Sequence, residues 1–157
     1  MTFKNEAQLK KFLSEKCAKA VNNTKKKIQE EFAGNINQFY TEFNPEEYVR
    51  TGALFHSLEA TDVVRTGNQH MNRAYAEVYF NMPNYRKGWV PLQSGSFGYA
   101  AWSDEKILDT IMTGGISGLP HGGYEDGTAI WNDSMKNLGG RKGINNLLKQ
   151  ELKKQGL

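Results

Sequence analysis

Between residues 6 and 43 the apolar side chains Leu9, Phe12, Leu13, Cys17, Ala20, Val21, Ile28, Phe32, Ile36, Phe39, Tyr40 and Phe43 recur at spacings of three or four. One face of a helix requires that spacing, and it predicts helix across the whole stretch, with Thr2 or Asn5 as the cap. Glycine in a helix interior costs about 1 kcal/mol relative to alanine, so Ala33-Gly34-Asn35 is the point where one long helix would become two in sequence. The polar run Asn22-Asn23-Thr24 interrupts the apolar stripe. Beside it, Lys25-Lys26-Lys27 is basic enough to meet phosphate or an acidic neighbour. Pro45 ends the helical pattern, because its ring disfavours helical geometry at the preceding residue and it offers no backbone donor.

After Ser57 the period changes from helical to two. Thr61, Val63 and Val64 are followed by Thr66-Gly67-Asn68-Gln69, and then Ala74, Ala76, Val78 and Phe80 alternate with Tyr75, Glu77 and Tyr79. Strict alternation and a Gly-Asn turn predict a β-hairpin with one face on the N-terminal helix. Residues 82–102 are rich in turn formers and in large aromatics, among them Tyr85, Trp89, Phe97, Tyr99 and Trp102. A loop of that length is uncommon in a compact domain, and side chains of that size recover their ordering entropy only when buried, so the segment reads as an arm that meets a partner surface. Ser103 is a fitting cap for a helix over 104–112. Two short helices are expected around 129–137 and 143–154, separated by Gly139-Gly140.

The chain has 157 residues, enough for one domain that buries roughly two thirds of its unfolded surface. Its net charge of +3 is unevenly spread. Residues 1–27 hold eight Lys against two Glu, a balance of +6; residues 28–140 hold seven cations against fourteen acids, −7; residues 141–157 hold five against one, +4. Basic ends around an acidic middle favour oriented contact with neighbours or with nucleic acid. With a mean hydropathy of −0.66 and no apolar run of membrane length, the expectation is a chain made in the cytosol with no membrane partner.

Chemical motifs are weak. Cys17 is the single cysteine, and His56, His70 and His121 lack metal-site spacing, so neither a disulfide nor a metal is expected. The glycine-rich run at 113–123 lacks the Lys-Ser/Thr ending of a phosphate-binding loop and the strand that precedes one. His121 near Glu125 and Asp126 invites a general-base reading, yet Ser117, Ser134 and Cys17 sit in no nucleophile elbow. The adjacent acids Glu30-Glu31, Glu46-Glu47 and Asp104-Glu105 are ordinary at helix starts and on solvated faces. No catalytic residue, no cofactor and no enzymatic activity is expected. The rival expectation is a small nucleic-acid-binding protein: lysines at both ends, with Arg141-Lys142, would neutralise phosphates while Tyr85, Trp89, Phe97 and Tyr99 stack on bases. Against it, the aromatics lie in the acidic part of the chain.

The stretch from Phe43 to Leu58, FNPEEYVRTGALFHSL, is the most distinctive. Tyr48, Leu54 and Leu58 are its anchors, and Arg50, Thr51 and Ser57 supply the donors and acceptors that fasten a hinge between helix and sheet. With Pro45 this order resembles the neck proteins of long-tailed bacteriophages, the head-tail joining, tail-completion or minor capsid family. Gly118-Leu119-Pro120-His121-Gly122-Gly123 is similar to a Gly-x-His-Gly-Gly element of that family, with an inserted Leu-Pro. The resemblance implies that His121, Gly122 and Gly123 form an interface loop and not a catalytic one. It further implies a non-enzymatic virion protein that forms a homo-oligomeric ring at the neck, assembles in the host cytoplasm, and joins connector and tail proteins while genomic DNA passes through without specific binding. The expected fold is α+β: a long N-terminal helix packed on a small antiparallel sheet, with short helices toward the C-terminus. It is expected as one domain, helical over 1–43, hinge and hairpin over 44–81, aromatic loop or arm over 82–102, and helices with the Gly-rich loop over 103–157. If Arg50 fastens the hinge, Arg50→Ala lowers stability by about 1 to 3 kcal/mol. Thermal melting checks this, and an unchanged midpoint would move Arg50 to an intermolecular role.

Overall fold

The computed structural model describes residues 2–42, 52–67, 72–81 and 130–157. Helix α1 (Glu6–Glu42) is followed by a single turn, α2 (Ala53–Ser57), then by strands β1 (Leu58–Ala60), β2 (Val64–Gly67), β3 (Asn72–Tyr75) and β4 (Val78–Phe80). Helices α3 (Ile130–Asn137) and α4 (Gly140–Lys154) close the described chain. The fold is α+β, a long N-terminal helix with a small antiparallel strand set and a pair of C-terminal helices. None of the described helices is long and apolar enough to cross a membrane.

α1 is continuous through Gly34, which is solvent-exposed. At 37 residues it is about 55 Å long. Its start is fixed by Asn5, whose Oδ1 accepts from the backbone N–H of Gln8 at 2.9 Å, while the Gln8 Oε1 accepts from the N–H of Lys4 at 3.0 Å. One amide that the helix start leaves without a partner, that of Gln8, is thereby satisfied, and the return bond from Lys4 just before the cap closes the turn. Phe3 packs on Phe12 just inside, with ring centroids 5.2 Å apart.

The strands form one hairpin interrupted by a bulge. Leu58 pairs with Phe80 and Ala60 with Val78, whereas beyond the interruption Val64 pairs with Tyr75 and Arg65 with Ala74. The register has slipped by one residue, as a β-bulge requires. Thr61 holds the junction: its N–H donates to the Glu77 carbonyl, and its Oγ1 accepts from the Glu77 N–H, both at 2.9 Å. The slip changes which side chains of the first strand face α1, so Val63 is half-buried and Val64 stands exposed beside Tyr75. Along the second strand the predicted alternation holds, with Ala74, Ala76, Val78 and Phe80 half-buried and Tyr75, Glu77 and Tyr79 exposed.

The core lies where the C-terminal half of α1 meets everything else. Phe32, Ile36 and Phe39 pack with Leu54 of α2 and Ile130 of α3, and Ile28, Tyr40, Leu58, Phe80 and Leu138 close around them. Phe32 reaches both sides, with its ring 6.0 Å from Phe80 and 5.3 Å from Trp131. The Gly139-Gly140 break separates α3 from α4 as expected, but α4 begins at Gly140 and not at 143. Gly139 turns the chain with a φ of 72°, and Gly143 lies against the carbonyl of Leu138 so closely that a Cβ would sit 1.8 Å from that oxygen. Two glycines therefore react oppositely to one methyl. Gly143→Ala should lower stability by about 3 kcal/mol, because backbone and not a flexible side chain must move. Gly34→Ala, which meets nothing within 4 Å, should raise it by about 0.5 to 1 kcal/mol. Chemical denaturation of both variants checks the pair.

Candidate functional site

α1 carries a polar stripe at a spacing of four: Asn23, Lys27, Glu31 and Asn35. Residues so spaced stack on one helix face, and here that face is covered by the C-terminal helix pair. At its lower end stands Glu151 of α4, 3% exposed. One carboxylate oxygen accepts from the Lys27 and Lys154 ammonium groups, each at 2.8 Å, and the other accepts from the Asn23 Nδ2 at 3.0 Å. At the upper end, the buried Asn35 Nδ2 donates to the Ser134 hydroxyl at 2.9 Å and to the Glu31 Oε1 at 3.1 Å. Asn137 donates to that same Glu31 oxygen at 2.8 Å.

A buried carboxylate is costly unless its lone pairs are met by good donors, and charged donors meet them best. The ammonium of Lys154, then that of Lys27, then the Asn23 amide hold the Glu151 carboxyl down to about 2, against the opposing effect of burial. The same contact raises Lys154 above its ordinary value. On the other side of α1, Lys25 donates to the Thr61 carbonyl at 2.8 Å and so ties the helix to the bulge. Of the three consecutive lysines, one meets an acid, one meets the hairpin, and Lys26 is exposed.

Two grooves flank this seam. One, of about 470 Å³, runs between α1 and α4 and is lined by polar groups including Lys27, Glu30, Glu31, Asn146 and Gln150. The other, of about 570 Å³, is floored by Cys17 and Val21 of α1, Ala74 and Tyr75 of β3, and Leu148 and Leu152 of α4. Among the described residues no group of three or more His, Cys, Asp or Glu side chains is placed to hold a metal.

The chain matches the YomN family across residues 5–154. It belongs to that family. The family bears a phage-derived name, which associates the chain with bacteriophages. No curated protein and no solved structure matches it.

Within this YomN-family fold, the residues singled out from sequence fall in two groups. Leu54 lies in the core at 3% exposure and Leu58 packs against it half-buried. Ser57 is fully buried, donating to the Leu54 carbonyl at 2.7 Å while its own carbonyl accepts from the Asn81 N–H. Pro45, Tyr48, Arg50 and Thr51 lie outside the described residues, as do Tyr85, Trp89, Phe97, Tyr99, Trp102, His121, Gly122 and Gly123. Glu151 and the Asn35–Ser134 pair escaped the sequence reading. A signal for Glu151 was present, since it is the single acid among the five cations of residues 141–157. Glu31 also departs from expectation: it joins helices instead of standing on a solvated face.

The depressed Glu151 carboxyl makes stability depend on acid in a definite window. A group whose pKa is lower in the folded than in the unfolded chain stabilises fully above its unfolded value, near 4.5, and loses that contribution as pH falls toward about 2. Wild-type protein should show a falling melting midpoint between those values. Glu151→Gln should start lower at neutral pH, with a flatter profile across the same range. A variant profile parallel to that of the wild type would remove Glu151 from this role.

Proposed function

We propose that the chain is a non-enzymatic structural protein of a phage particle, one that joins head and tail as a ring-forming neck or tail-completion protein. The observation that carries this reading is the match to a phage-derived family over residues 5–154, in a chain whose segment from Phe43 to Leu58 follows the head-tail joining order. The burial of Leu54 and Leu58 supports it, because those anchors bind the end of the segment to the core from which α1 extends. Its partners are copies of itself and the neighbouring connector and tail proteins, in the virion neck and, during assembly, in the host cytoplasm. Genomic DNA passes without specific binding, with the acidic middle of the chain toward the lumen and the basic helices left for neighbouring protein.

One observation favours a second reading, nucleic-acid binding. The two basic ends, +6 and +4 by sequence, lie side by side because α4 packs along α1. A convergent basic surface is what phosphate neutralisation needs.

Salt separates the two. A protein that neutralises several phosphates loses affinity steeply with salt, because each contact releases condensed counterion. Fluorescence anisotropy of duplex DNA at low and moderate salt, beside sedimentation of the protein alone, is the test. The expected result is self-association with only weak DNA binding. Submicromolar, salt-steep DNA binding by a strict monomer would overturn the neck reading in favour of the second one.

A further inference from the structure

Glu6, Leu9, Leu13, Lys16, Ala20, Asn23 and Lys27 follow one another along α1 at alternating spacings of three and four, which puts them on one helix face. α4 occupies the second half of that face, where Asn23 and Lys27 hold Glu151 and Ala20 is fully buried. It runs back along α1, from Leu147, which shares a groove with Lys27, to Leu152, which shares one with Cys17, and it ends at Lys154. The first half of the face is open. Leu9 and Leu13 are each 37% exposed, and none of the described residues 6–19 is buried.

The open stretch reads acid, leucine, leucine, base, and that order is complementary to itself when reversed. If a second copy runs antiparallel with its Leu13 beside Leu9, its Lys16 lies beside Glu6, and the same pair recurs at the other end. A parallel pair would set Glu6 against Glu6 and Lys16 against Lys16. Both charges are placed for the contact. Glu6 meets Lys10 at 2.7 Å in an exposed pair of small worth that leaves its side chain 77% open, and one carboxylate can accept from two ammonium groups, as Glu151 does. Lys16 lies over Phe12, its ammonium 5.4 Å from the ring centroid, at the edge of the strip. The lengths agree as well. A partner helix that starts at its own Glu6 begins opposite Lys16, and from Cys17 onward the face belongs to α4.

We propose that the first three turns of α1, Glu6 to Lys16, pair antiparallel with the same turns of a second copy, Leu9 of each against Leu13 of the other and Glu6 of each against Lys16 of the other. The contact is isologous, so it closes on itself as a two-fold pair and makes no ring. It therefore stands apart from the ring-forming reading above, and either can hold without the other. The overlap is about 16 Å of helix, which puts it among the small and weak interfaces, formed at high local concentration.

Charge reversal and directed cross-linking test it on the full-length chain. Glu6→Lys sets two lysines against two lysines and Lys16→Glu sets two acids against two acids, so each variant alone should associate about tenfold or more weakly than the wild type in sedimentation equilibrium. An equimolar mixture of the two should recover the pair, because each chain then offers the charge the other lacks. Leu13→Gln should weaken pairing without lowering the melting midpoint of dilute protein, since Leu13 is exposed and outside the core. The register is checked in a Cys17→Ser background: under mild oxidation a mixture of Leu9→Cys and Leu13→Cys chains should give a two-chain disulfide far faster than either chain alone. Equal cross-linking in all three samples would overturn the antiparallel register. Association that is indifferent to the reversals and to Leu13→Gln would overturn the pairing and leave the ring-forming reading standing, and a wild type that is monomeric up to the highest concentration would overturn the pairing too.

Discussion

A carboxylate shut away from water can be kept only where donors are fixed around it, and the arrangement of this molecule follows from that requirement at Glu151. Lys27 and Asn23 are one turn apart on α1, and Lys154 is one turn along α4 from the acid it serves. A slide of α4 by one turn in either direction would part the buried carboxylate from Lys27 and Asn23, leaving it only Lys154 of its own helix. That is among the more expensive faults a core can carry. The apolar contacts of Phe32, Ile36, Phe39 and Ile130 supply most of the burial, but they are non-directional and would accept several registers. The polar stripe selects one. At its upper end Asn35, Ser134, Glu31 and Asn137 repeat the logic with α3, so the helix pair is pinned at two points along the same face.

The hairpin depends on the same helix from the other side. Lys25 and Lys27 are two residues apart, which turns them about 200° around the axis. One therefore reaches the Thr61 carbonyl while the other reaches Glu151. A two-stranded hairpin is marginal by itself in water, and this one gains a floor from Phe32 and Ile28 beneath Phe80 and Leu58. The bulge at Thr61 costs a regular ladder step, yet the threonine side chain restores a hydrogen bond there. In the process Val64 is moved to the exposed face.

Much of this architecture was legible in the chain because it rests on periodicity. The spacing of three and four through residues 6–43 gave α1, and the alternation from Ala74 to Phe80 gave the second half of the hairpin. Gly139-Gly140 marked the turn between α3 and α4. The bulge was not legible, since one extra residue between Ala60 and Val64 leaves no compositional trace and depends on how Thr61 meets Glu77. The role of Glu151 was hidden for a different reason. Sequence distance says nothing about a partner 124 residues away, so the acidic neighbour expected for the run Lys25-Lys26-Lys27 could not be named as Glu151. The continuity of α1 through Gly34 is a matter of magnitude: a penalty of about 1 kcal/mol is small beside the packing of Phe32 and Ile36 on either side.

One consequence of the inward-turned acid concerns the surface. By placing its carboxylate inside, Glu151 removes the negative charge that would otherwise offset Lys149 and Lys153 outside. The same step that fixes α4 on α1 therefore leaves the exposed side of α4 basic, with Arg141, Lys142, Lys149, Lys153 and Lys154. The exposed positions of the hairpin are mixed, Asp62 and Glu77 against Arg65 and Arg73, while Glu59 holds Tyr79 and Asn81. α1 therefore stands between a hairpin of mixed charge and a basic α4. The molecule thus presents unlike faces across one stiff element.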